Sequence, residues 1–137
     1  MIRPRVLFSL AAATATALAA PAVAHHSSAM FDAAKTVTVT GDVKQYQFVQ
    51  PHTWIDLVAK DASGKETVWS IEGGATGQMR NIGLPASALK PGDHITITAH
   101  PLRDGRPAGA FISIVMPDGK TLSARAPQPA AALAPAP

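Results

Sequence analysis

The chain of 137 residues contains no cysteine. Disulfide staples and thiolate metal sites are therefore excluded, and the fold must hold by its apolar core alone. Charge is also scarce, at 15% of residues, with 12 basic side chains against 9 acidic ones. Two of the basic residues, Arg3 and Arg5, stand at the extreme start, and without them the balance is close to neutral. That leaves little to draw in nucleic acid, which requires a clustered basic face. The longest apolar run, residues 6–20, is 15 residues long, short of the roughly 20 that a spanning helix needs. No membrane span is expected, and no internal repeat is visible.

What the start does contain is a short basic segment, the apolar run, and then small residues ending in Ala22-x-Ala24. This three-part layout predicts a secretory signal peptide over residues 1–24 and a periplasmic or secreted protein. Pro4 separates the two arginines, so a twin-arginine signal is not indicated. Cleavage after Ala24 makes His25 the new terminus, and cleavage after Ala22 would place it third. A terminal His offers its amine and its own Nδ1 to one metal ion. A His in third place offers a square-planar nitrogen set that suits Cu(II) or Ni(II).

The other end, residues 125–137, is a Pro/Ala tract without periodicity and reads as an extended tail. Between an N-terminal arm (25–34) and this tail, residues 35–124 form one domain with a modest core. Val37, Val39 and Val43 alternate with Thr38, Thr40 and Asp42, as in a half-buried strand. Gly41 suggests a bulge or bend, and the apolar side switches to Tyr46 and Phe48, which predicts a register change near Lys44. A second strand carries Ile55 and Leu57 opposite His52, Trp54 and Asp56, and "ETVWSIE" is a third. A short helix follows in "ATGQMRNIG", with Thr76 as its cap and Gly83 as its stop. Ile95, Ile97 and Ala99 then alternate against His94, Thr96, Thr98 and His100, and "AFISIVM" is a fifth strand that a turn extends into "KTLS". Three strands, one short helix and two more strands predict an all-β, five-stranded OB-fold-like Greek-key barrel.

The segments His25-His26-Ser27 with "MFD", "GDVKQYQF", Pro51-His52-x-Trp54, "WSIEGG", "LKPGD" and "HPLRDG" occur in one order. On them the chain resembles a family of small exported bacterial proteins known as a domain of unknown function. Its members often carry an aromatic where this chain has Ser28 and Asn where it has Gln50. The resemblance implies a secreted β domain and no activity.

All five histidines follow the leader. In an OB barrel the loops joining strands 1 to 2 and 4 to 5 flank the ligand face; His52 sits at the first and His100 opens the second. Strand 1 should run antiparallel to strand 4, which puts its start near His100. Ten residues separate Lys35 from His25, up to about 33 Å of extended chain, so the arm can return to His100. His94 belongs to the far end. The metal-binding set expected from this reading is His25, His26, His52 and His100, holding Cu(II) or Zn(II), with Asp56 orienting the second ring nitrogen of His52. Met30, Met79 and Met116 are too scattered for a Cu(I) site.

No nucleophile-and-base spacing emerges from Ser27, Ser28, Asp32 or Glu72, so no catalytic residue is assigned, although redox chemistry at a bound copper stays open. The leading expectation is a periplasmic copper-binding module. The alternative is a non-metal adaptor that holds a peptide, glycan or partner protein on the barrel face beside Trp54.

Overall fold

The computed structural model describes residues 27–124. The leader, His25, His26 and the tail from residue 125 lie outside the described residues. Six strands and one short helix follow a 3-10 turn at Ser27–Met30: β1 (Val37–Gln47), β2 (Trp54–Lys60), β3 (Glu66–Glu72), α1 (Thr76–Asn81), β4 (His94–Pro101), β5 (Ala108–Val115) and β6 (Thr121–Ser123). Their order in the sheet is β3-β2-β1-β4-β5-β6, and a parallel pairing of β3 with β5 closes the first five into a barrel. This is the expected OB-fold-like topology, with its helix between β3 and β4. The residues read as an extension of strand five form β6, a separate short strand antiparallel to β5.

Alternation selects the inner face. Val39, Val43, Ile55, Leu57, Ile71, Ile95, Ile97, Ala99 and Ile114 meet in one core, several of them fully buried. Period-two strands allow no other outcome once one face must leave water. The register of β1 slips between Val43 and Gln45, where Lys44 was expected to disturb it, and this rotates Tyr46 and Phe48 against the core. Gly41 lies upstream of that bulge, at a point of contact between strands. A Cβ there would stand 2.2 Å from the Val58 carbonyl oxygen.

The helix departs from expectation at its start. Ala75 occupies the cap position and Thr76 is the first helical residue. The Gln78 side chain accepts the Ala75 N–H at 3.0 Å, and the Thr76 hydroxyl instead accepts from Gln50 Nε2 at 2.6 Å. Thr76 is thus spent on tying the β1–β2 loop to the helix.

Tyr46 ties the same region to the chain after α1, donating to the Leu84 carbonyl at 2.9 Å. Burial pushes its hydroxyl from an ordinary pKa of 10.0 up to about 12. The unfolded chain therefore loses this proton first, and stability should be intact below pH 10 and decline between pH 10 and about 12. In thermal melts across that window, Tyr46→Phe should fall less steeply than the parent. At neutral pH it should be weaker by about 1 kcal/mol, because the Leu84 carbonyl loses its donor. An unchanged slope would show that the hydroxyl is not shielded.

Candidate functional site

The end of the barrel where β4 finishes and β5 begins carries a cavity of about 660 Å³. Its position follows from strand register. His100 pairs with Ala110, Ala110 with Glu72, and Glu72 with Trp54, so the four form one row across β4, β5, β3 and β2. With strands about 4.8 Å apart, the backbones of His100 and Glu72 stand roughly 10 Å apart. Only the methyl group of Ala110 lies between them, which leaves a hollow. Phe31, Met79, Ile82 and Phe111 supply apolar wall, and His52, His100, Glu72 and Asn81 supply polar groups.

The segment that carries His52 is fastened by its neighbour Thr53, whose side chain is fully buried. Thr53 N–H and Oγ1 both donate to the Gly74 carbonyl, at 3.0 and 3.1 Å, and its own carbonyl accepts Gly73 N–H at 2.8 Å. That approach requires glycine, since a Cβ on Gly73 would stand 2.2 Å from Thr53 Oγ1. "EGG" is therefore the seat for the strand entry at Thr53, and it brings His52 Nδ1 against the nearly buried Glu72 carboxylate.

The arm folds back as chain length allowed. Phe31 forms a bridge with Leu102, Asp32 N–H donates to the Pro101 carbonyl at 2.8 Å, and Arg103 N–H donates to the Met30 carbonyl at 2.9 Å. The Asp32 carboxyl would be raised by burial. The N–H of Ala34 and the charges of Arg103 and Lys35 outweigh this and hold it below the ordinary carboxylate value. His100 completes the attachment: its Nδ1 lies 2.8 Å from the Lys35 carbonyl oxygen.

These contacts decide the chemistry of both rings. A backbone carbonyl only accepts, so His100 carries its proton on Nδ1 and its neutral form keeps the lone pair on Nε2. An ionised Glu72 imposes the same tautomer on His52. Two imidazoles line one cavity with their Nδ1 edges anchored, the arrangement that orients histidines for ligation. Among the described residues, no group of three His, Cys, Asp or Glu side chains could hold a metal ion.

His52 and His100 thus line one cavity, while His94 stands at the other end of β4 against Asp42, at 2.7 Å. The expected role of Asp56 requires correction. It accepts from Ser70 Oγ at 2.7 Å across β2 and β3, and Glu72 is the carboxylate on His52. Asp56 pairs with Ser70, two residues along from the Trp54–Glu72 pair, and Glu72 ends its strand at the position where the Thr53 seat delivers the His52 ring. Trp54 is half-buried on β2 and does not line the cavity. Sequence reasoning missed Glu72 as a partner and the apolar wall; a carboxylate at a strand end before a Gly pair was the available signal for the first.

No helix of the described residues is long and apolar enough to cross a membrane. No curated protein matches the chain. Among solved structures, a mitochondrial single-stranded DNA binding protein from S. cerevisiae is similar, with a TM-score of 0.48 and 8% identity, over 60% of this chain and 92% of that one. The model of a family of unknown function, DUF6152, matches residues 13–111, and the chain belongs to that family.

Proposed function

We propose that this protein is an exported copper-binding module whose site combines His52 and His100 with the terminal amine and imidazole of His25, and with His26 as a further candidate. One observation carries the reading: two histidines distant in sequence line one cavity, each with Nδ1 fixed on an acceptor, beside the folded-back arm. Phe31 lines that cavity, and the six residues back to His25 span at most about 22 Å. Imidazole and amine nitrogens suit Cu(II) first and Zn(II) second. Two imidazoles do not complete a site for either metal, so the missing donors are assigned to the arm. A periplasmic location supplies the required processing at Ala24.

Copper titration of protein that begins at His25 tests this. One Cu(II) with nitrogen-dominated electron paramagnetic resonance is expected. A single extra alanine before His25 should weaken binding at least tenfold. Undiminished affinity after joint His25→Ala and His52→Ala substitution would overturn the reading.

A further inference from the structure

The cavity is far larger than a metal ion requires. At about 660 Å³ it falls within the range of small-molecule sites, which are mostly apolar with a few placed polar groups. We infer that it binds a phenol, an aromatic molecule whose one hydroxyl donates to the Nε2 lone pair of His100.

The donor–acceptor pattern sets the class. With Nδ1 of His100 held on the Lys35 carbonyl and Nδ1 of His52 on Glu72, the tautomer these contacts select can only accept at Nε2, so its ligand must bring an O–H or N–H. A carboxylate is disfavoured because it brings no proton and meets the charge of Glu72, which shares the cavity. An ammonium would have to leave water for a wall of Phe31, Met79, Ile82 and Phe111, a far greater cost than desolvating one hydroxyl. The wall itself suits a flat ring, since phenylalanine edges and the Met79 sulfur favour aromatic neighbours. The methyl of Ala110, between His100 and Glu72 in the strand row, leaves the space the ring would occupy.

Copper would take the same Nε2 lone pair, so the test uses chelator-treated full-length mature protein. 4-Ethylphenol is titrated while backbone amide resonances are followed, beside 4-ethylanisole, 4-ethylbenzoate and phenethylammonium. Saturable one-to-one binding is expected, with shifts concentrated at Gly73, Ala110 and Phe111, and with each of the other three compounds at least tenfold weaker. Ala110→Leu should abolish binding at an unchanged melting temperature. If that variant does not fold, His100→Ala, which removes an acceptor and leaves the hollow open, should weaken 4-ethylphenol at least fivefold and leave 4-ethylanisole unaffected. Equal binding of the anisole, tighter binding of the benzoate or the ammonium, or shifts away from the cavity would each overturn the proposal. Failure to bind copper would not.

Discussion

With the proposed copper site, Glu72→Ala is expected to lower Cu(II) affinity by about 10- to 100-fold, the usual cost of removing a group that orients a metal-binding histidine. Glu72 meets His52 Nδ1 from a nearly buried position at the end of β3. Without it the ring is free to rotate and to change tautomer, and the fraction with Nε2 unprotonated and correctly aimed falls. Glu72→Gln, which still accepts a hydrogen bond but has no charge, should lie between. Asp56→Ala should leave affinity within about twofold of the parent, since Asp56 is engaged with Ser70 on β3. Copper titrations of the three variants decide the matter. If Asp56→Ala is the damaging change, the geometry of the His52–Glu72 pair has been misassigned a role. Because Glu72 also contributes to packing, melting curves are needed beside each titration.

The second large effect concerns the barrel itself. Gly41→Ala should destabilise the fold by about 3 kcal/mol, at or above the upper end of ordinary overpacking costs. The added methyl would stand 2.2 Å from the Val58 carbonyl oxygen and 2.8 Å from its carbon. Those are backbone atoms of the paired strand, and no rotamer change relieves the overlap. Strands β1 and β2 would have to part where β1 also pairs with β4, across Gly41 and Ile95. Gly77→Ala is the matched control. Its Cβ meets nothing within 4 Å, it lies inside α1, and it should gain up to about 1 kcal/mol from helix propensity. Urea unfolding of both variants measures the contrast, and a Gly41→Ala protein as stable as the parent would show that the strands are not in such close contact.

Much of the fold was legible because it depends on local alternation. Val39, Ile55, Leu57, Ile95 and Ile97 announce one buried face by their spacing, and the slip at Lys44 follows from the apolar side changing to Tyr46. That His52 and His100 line one cavity was legible at lower precision, through the barrel loop and strand end that carry them. Glu72 and Asp56 were not separable in that way: both are carboxylates on strands beside His52, and the choice between them turns on cross-strand register. The helix start was misread for a related reason. Thr76 has a good capping side chain, but its hydroxyl is claimed by Gln50 from a loop 26 residues earlier.

Thus the sequence by itself determined the strand pattern, the inner face and the absence of any thiol chemistry, all of which follow from residue type and near-neighbour spacing. Only the tertiary structure decided that Ala110 leaves a hollow between His100 and Glu72, that Thr53 locks onto Gly73 and Gly74, and that the arm closes over the end of β4. These depend on which residues of distant strands come to lie side by side, and barrel closure through β3 and β5 sets that register.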